Sequence, residues 1–198
     1  MAIVVEHEKR KAEILTKALD VFIEEGYADV TFQKIADRCG ITRTTLYIYF
    51  KNKRELFLWS IKHITAELED AIMELVTKKE FSAAECLFET LMYIIQSIED
   101  NKKLFNVILL YLLQLRKTGV DTRKRVARRF LRLRHVLSTI IIRGQKSGEF
   151  KQLSVRDVND LFYGLIEAAV FRVVILAHDT MDDIRQTIAL AVAEILAP

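Results

Sequence analysis

The chain has 198 residues, 51% hydrophobic and 29% charged, so it can bury a real core, and six glycines with a single terminal proline leave few breaks in what reads as an all-α chain. A net charge of only +3 makes any basic character local. His7, His63, His135 and His178 have no metal-ligand spacing, no glycine-rich phosphate loop is present, and no Ser, Cys or carboxylate lies beside a sequence-local base, which argues against an enzyme, a metal site or a cofactor.

Cys39 and Cys86 lie in apolar helical surroundings without paired spacing, which predicts free buried thiols in a reducing cytoplasm. The apolar runs 104–115 and 161–177 are short and interrupted by Asn106, Gln114, Glu167 and Arg172, so no membrane partner is expected.

A first helix is predicted over 9–25, with Leu15, Ala18, Leu19 and Phe22 on one face and Gly26 as its stop. Lys9, Arg10 and Lys11 crowd its first turn, read either as a solvated basic turn offset by Glu6 and Glu8 or as a short arm on DNA phosphates. Between Thr31 and Arg54, Phe32, Ile35, Ala36 and Cys39 recur at helical spacing and Gly40 supplies a stop. Thr42 then caps a second short helix that turns Leu46 and Phe50 inward. Two short helices and a tight turn form a helix-turn-helix. Lys34, Arg38, Arg43, Lys51, Lys53 and Arg54 face only Asp37 there, leaving about +5 and an anionic polymer as the expected partner.

The second short helix is rich in mediocre helix formers, so it is written for what it displays: hydroxyls and phenols that reach phosphates, and Arg43, able to make a bidentate contact to guanine. Asn52 and Glu55 form a capping-box pattern for the next helix. Lys53 and Arg54 sit where the helix dipole disfavours cations, which makes sense if a phosphate docks between them.

The run ThrPhe-x-x-IleAla-x-x-CysGlyIleThr-x-ThrThrLeuTyr-x-TyrPhe-x-x-Lys resembles the DNA-binding signature of the TetR family of bacterial transcriptional regulators. The resemblance implies that Thr31 caps the first reading helix and touches phosphate and that Gln33 and Arg43 face base edges. It further implies that Thr42, Thr44, Thr45, Tyr47, Tyr49 and Lys53 belong to the same DNA-binding surface, holding the backbone or adjoining bases. Cys39 stands where Ala is usual, and Thr44 where Gly often lies against the backbone. The stretch from Gly144 to Gly164 is also similar to the C-terminal half of many members.

A fourth helix runs from Asn52 to Thr77 without Gly or Pro, a rigid link able to transmit a tilt. The fifth is capped by Ser82 and Glu85. The sixth, 102–116, is apolar on nearly all sides and ends at Gly119; the seventh starts at Asp121. Residues 116–134 carry nine cations against Asp121, about +8, read as a solvated face, a supplementary DNA contact or a site for an anionic ligand such as a phosphate-bearing thioester. The eighth helix, 155–178, is apolar around most of its circumference, and a ninth begins at Asp179 or Thr180. Gly164, Ala168 and Ala169, with Ala189 and Ala191, suit a homodimer interface.

The expected architecture is therefore an N-terminal three-helix DNA-binding domain, 1–54, and a C-terminal helical bundle for ligand binding and dimerisation, 55–198, with about nine helices in all. The function that follows is a homodimeric cytoplasmic regulator, most simply a repressor released from a palindromic duplex operator by a small apolar effector. An effector-independent architectural DNA-binding protein is the alternative. Pocket candidates are Trp59, His63, Phe88, Met92, Phe105, Asn106, Tyr111, Tyr163, Glu167 and Phe171. Glu167, in an apolar helix, calls for a partner such as Arg172 or a cationic effector.

Overall fold

The computed structural model describes residues 2–78, 80–117 and 123–198, with the side chains of residues 6–78, 80–117 and 132–198. The described residues form nine helices: α1 (Ala2–Glu25), α2 (Phe32–Cys39), α3 (Arg43–Tyr49), α4 (Lys53–Thr77), α5 (Ala83–Asp100), α6 (Lys102–Lys117), α7 (Arg123–Ser147), α8 (Val155–Val174) and α9 (Asp182–Ile195). There is no strand among them, only an isolated antiparallel bridge between Phe150 and Leu196. Two compact units divide inside α4, Met1–Asp70 and Ala71–Pro198. The motif read from the sequence ends at residue 54, whereas the compact unit continues to Asp70 because Leu56 and Phe57 of α4 are core residues there.

In the first unit, Ile14, Leu15, Ala18 and Phe22 of α1 are buried, as are Phe32, Ile35, Ala36 and Cys39 of α2 and Leu46 of α3. Phe22 meets Phe57 edge-on, with ring centroids 4.8 Å apart and planes at 69°. The α2–α3 turn is closed at Gly40, whose φ of +67° is left-handed, and Ile41 N–H donates back to the Ala36 carbonyl at 3.0 Å. Helix α1 starts at Ala2, seven residues before the expected Lys9, because nothing in residues 2–8 breaks a helix. Lys9, Arg10 and Lys11 therefore lie in its interior and not at its positive end.

In the second unit, α5 packs against α6, α7, α8 and α9 and buries Cys86, Leu87, Leu91, Ile94, Ile95 and Ile98. Its capping box is complete: Glu85 N–H donates to Ser82 Oγ at 3.1 Å, and Ser82 N–H to Glu85 Oε2 at 2.9 Å. Arg143 of α7 donates to the Val76 and Ser82 carbonyls at 3.3 and 3.2 Å, so a single guanidinium joins the end of α4 to the start of α5. Gly144 lies under Phe150 so closely that an added Cβ would stand 2.2 Å from the ring, which requires glycine here.

Two boundaries differ from expectation. Helix α8 ends at Val174 and not at 178, with Ala177 at φ +53° in the following turn, and α9 starts at Asp182 after Met181. Arg172 pairs with Asp183 across that turn. Asp121 and Gly119, the expected ends of the sixth and seventh helices, lie outside the described residues, as do most side chains of the basic stretch 116–134. Arg134, at its end, is tied to Asp160 at 2.5 Å and stands 4.6 Å over the Tyr163 ring.

Among the described residues no helix is long and apolar enough to cross a membrane, and no group of three or more His, Cys, Asp or Glu is placed to hold a metal ion. Cys39 and Cys86 are buried, form no disulfide, and have thiol pKa values raised by that burial.

Candidate nucleic-acid interface

Helices α2 and α3 are too short to persist alone, and their caps and buried faces hold them. Thr31 caps α2, its Oγ1 accepting from Lys34 N–H at 3.3 Å; Thr42 caps α3, accepting from Thr45 N–H at 3.1 Å and meeting the Thr45 hydroxyl at 2.8 Å. With Leu46 inward, α3 turns Arg43, Thr44, Tyr47 and Ile48 to solvent. Arg43 Nη2 donates to the Tyr47 hydroxyl at 3.2 Å and the guanidinium lies 5.6 Å from that ring's centroid, while the ring itself packs 4.8 Å from Phe32. Tyr47 thus stiffens the long Arg43 side chain before any partner arrives. Gln33, exposed on α2, donates to Asp37 Oδ1 at 2.7 Å.

Two residues that sequence reasoning passed over belong to this surface. Ile48 is 73% exposed beside Arg43 and Thr44, an apolar tip of the kind that meets a thymine methyl. His7, brought in by the extra turns of α1, stacks on half-buried Tyr49 with centroids 4.7 Å apart and planes at 24°. Local spacing signals neither as a contact, because an isoleucine in a short helix does not announce which face it takes and His7 precedes the expected helix.

The charge count also changes. Lys34 is paired with Glu25, and Arg38 with Glu24, where Nη1 donates to Oε1 at 3.1 Å. Two of the six cations are therefore neutralised within the unit, while Arg43, Lys51 and Arg54 are exposed. Asn52 caps α4 through Glu55 N–H at 2.8 Å, but the Glu55 carboxylate reaches Lys51 N–H at 2.7 Å, so the expected capping box is shifted by one residue. Lys53 turns its ammonium inward to the carbonyls of Ala28 and Val30, at 2.9 and 2.8 Å, with Nζ 4.9 Å from the Tyr27 ring centroid. Burial lowers its pKa, with Asp29 opposing.

The ten pocket candidates are divided between the two compact units. Trp59 and His63 belong to the first unit and the other eight to the second. Trp59 lines a recess of about 340 Å³ with Lys51, Asn52, Arg54, Glu55 and Leu58, and Lys11 and Lys62 each place Nζ 4.6 Å from its ring. His63 Nε2 lies 3.6 Å from Glu67. Tyr111 and Tyr163 are buried, and burial followed by the charge of Glu167 drives the Tyr163 phenol well above its ordinary pKa. Phe88, Met92 and Phe105 are half-buried and Asn106 is exposed. Glu167 is exposed and needs no partner, and Arg172 is already engaged by Asp183, which removes the reason for giving Glu167 a buried role. A second recess, of about 440 Å³, is lined by Gln96, Glu99, Asp100, Lys102, Asp179, Thr180, Asp182 and Arg185, none of them a candidate.

Helix α8 buries Val158, Phe162, Tyr163, Ile166, Ala169 and Val173 on one face. On the other, Leu161, Gly164 and Phe171 are exposed and Ala168 half-exposed, a stripe at alternating spacings of three and four that the exposed C-cap Ile175 continues, with Asp157, Asp160 and Glu167 exposed alongside it. Phe171, a pocket candidate, lies on this exposed stripe. Ala169 is fully buried and cannot meet a second chain; Ala189 is exposed and Ala191 half-exposed, and Leu190 beside them is 72% exposed.

The chain matches the family model for bacterial regulatory proteins, tetR family, over residues 14–58, and that for the YsiA-like protein, C-terminal region, over residues 62–194. It is 24% identical over 159 residues to the fatty acid metabolism regulator protein of Bacillus subtilis (strain 168), covering 80% of each chain. Among solved structures it is similar to a TetR transcription regulator from Haloarcula marismortui, with TM-score 0.83, 22% identity, and 96% and 99% of the two chains covered. It is similar also to the transcriptional regulator FadR from Bacillus subtilis in complex with stearoyl-CoA, with TM-score 0.71, 24% identity, and 91% and 95% covered.

Proposed function

Because this chain belongs to the TetR family of bacterial transcriptional regulators, we propose that it is a homodimeric cytoplasmic repressor that binds an inverted-repeat duplex operator and is released by a small, largely apolar effector. The observation that carries the DNA reading is the exposed face of α3, where Arg43 is held by Tyr47 at the helix N-terminus, the end from which helix-turn-helix proteins read bases. One such helix reads few base pairs, and a two-fold dimer pairs two of them. The apolar stripe on α8, with Leu190 on α9, supplies a surface for that dimer.

The effector class suggested by the comparisons is a fatty acyl thioester. A relative named for fatty acid metabolism and a neighbouring structure holding stearoyl-CoA support it, as do the nine cations against one aspartate between residues 116 and 134, suited to the phosphates of such a ligand. DNA demands two α3 helices at one separation. A ligand that prefers another separation weakens binding by its differential affinity for the two states, and a coupling of about 1–3 kcal/mol suffices for a switch.

The test is selection of duplexes from a random library by the full-length protein, followed by titration of the selected site with stearoyl-CoA, stearate and coenzyme A. An inverted repeat released by stearoyl-CoA is expected, and the selected site must weaken stearoyl-CoA binding by the same factor. Selection without an inverted repeat removes the dimeric reading, and equal stearoyl-CoA affinity with and without DNA removes this effector class.

A further inference from the structure

Resting on the DNA-binding reading above, we propose that Trp59 organises a second anion-binding surface on the first unit, where Lys11 and Lys62 meet DNA phosphates outside the base pairs that α3 reads. Trp59, on the second turn of α4, is 37% exposed, although an indole gains much by burial. The ammoniums of Lys11, from α1, and of Lys62, three residues on along α4, each stand 4.6 Å from the centroid of its ring. Lys51 and Arg54 line the recess of about 340 Å³ that Trp59 shares, and Glu55, the carboxylate in that lining, is already taken by the Lys51 N–H. Among the described residues none of these four cations forms an ion pair, in contrast to Lys34 and Arg38.

A carboxylate neutralises the ammonium that it holds; an indole does not. The attraction of a ring for a cation, about 0.5–1 kcal/mol at an exposed site, fixes where each ammonium stands and leaves its charge and its N–H donors for another partner. Tyr47 braces Arg43 in the same way on α3. Four like charges gathered without a counter-charge repel one another, and a polyanion relieves them. Helix α1 joins this patch to α3. His7 and Lys11 are four residues apart and share one face of α1; His7 stacks on Tyr49, the last residue of α3, while Lys11 reaches Trp59. Lys51 directly follows Phe50, the α3 C-cap. The basic face therefore continues from the end of α3, along α1, to the side of α4. Lying past the reading helix, it suits the backbone that flanks a half-site and not base edges.

Two duplexes separate this surface from α3: the one selected by the wild-type protein, extended by about one helical turn on each side, and the same duplex trimmed to the base pairs that selection fixes. Each phosphate neutralised contributes about 0.9 to the slope of log affinity against log salt. On the long duplex Lys11→Gln and Lys62→Gln are each expected to lower that slope by about 0.9 per protomer, and on the trimmed duplex to leave it unchanged. Trp59→Leu keeps both lysines and removes the ring, and it is expected to weaken binding to the long duplex about threefold with little change in slope. Trp59 is the chain's single tryptophan, so its fluorescence reports this patch alone. The long duplex is expected to shield it from acrylamide, and the trimmed one is not. An unchanged slope for either lysine variant on the long duplex overturns the proposal. A loss of slope equal on the two duplexes does so as well, because it returns the lysines to the half-site. Acrylamide quenching that the long duplex leaves as it was, or undiminished affinity in Trp59→Leu, also overturns it. If the wild-type protein selects no duplex, the proposed function itself fails; a selected duplex with unchanged slopes removes this surface alone.

Discussion

The exposed faces of α3 and α8 leave opposite chemistries unsatisfied. Helix α3 offers a guanidinium braced by a phenol, an exposed threonine and one isoleucine; α8 offers the apolar stripe Leu161, Gly164, Ala168 and Phe171, continued by its C-cap Ile175, with the carboxylates of Asp157, Asp160 and Glu167 exposed beside it. A wet, basic surface suits a polyanion, and association through it weakens with salt. A dry stripe suits a second apolar surface, and salt leaves it nearly untouched. Ionic strength is therefore the variable that separates the two interfaces: rising salt should release DNA from an intact dimer.

The largest effect is expected at α8. Phe171→Arg places a charge on the dry stripe, and Gly164→Trp adds bulk where the protomer itself leaves open space within 4 Å, so both should fold and yield monomers by light scattering. Losing the paired half-site should lower inverted-repeat affinity by roughly 10²-fold or more. Dimers of unchanged stability in both variants would place the interface elsewhere.

Next comes the attachment of α9 to α5. Arg185 Nη1 donates to Glu99 Oε1 at 2.9 Å and the Met181 N–H donates to the same oxygen at 2.5 Å, and the two charged side chains are only 12% and 24% exposed. The hydrogen bond from Arg185, with that from Met181 and the charges of Arg185 and Lys102, holds the Glu99 pKa below its ordinary value despite burial. The stabilisation is therefore complete above the unfolded carboxylate pKa of about 4.3 and is lost as pH falls through the lower folded value. Glu99→Gln should cost about 1–3 kcal/mol at pH 7 by urea unfolding, and its deficit should shrink toward pH 3. A deficit independent of pH would mean that the charge on Glu99 contributes nothing.

Arg43→Ala should cost about 1–3 kcal/mol on the selected duplex and less on random DNA, relaxing preference at one base position per half-site. Equal losses on both would make Arg43 a backbone contact.

What was legible in the sequence follows the distance between partners. Thr31, Gly40, Thr42 and Ser82 act on groups within a few residues, so caps and stops could be read before any fold was known. Lys53 bonds to carbonyls 23 and 25 residues back, and Arg38 pairs with a glutamate 14 residues away; spacing rules carry no information at that range. Helix α8 shows a different limit. Its end at Val174 has neither glycine nor proline to announce it, and Leu161, Gly164, Ala168 and Phe171 look the same in sequence whether they are buried or await a partner, so spacing alone does not tell a pocket residue from an exposed one. The apolar neighbours of Glu167 predict a buried carboxylate, and in the fold it lies exposed.

The smallest expected effect bears on the basic face of the first unit. Counted along the chain, Lys34 is one of six cations that attract DNA, but in the fold its ammonium is held by Glu25, and the pair contributes a near-neutral patch to the surface. Lys34→Gln should therefore change stability by no more than about 1 kcal/mol, since the lysine is half-exposed and salt screens the pair. It should leave the salt dependence of DNA binding unchanged, because an ammonium already neutralised by a carboxylate releases no counterion from DNA. Glu25→Gln reverses the situation. It frees Lys34 without removing a cation, so non-specific duplex affinity should rise modestly at low salt and return to the wild-type value at high salt. Fluorescence anisotropy with one random-sequence duplex across a salt series reads both variants. A lower slope for Lys34→Gln would show that the ion pair opens on DNA and that Lys34 belongs to the binding face.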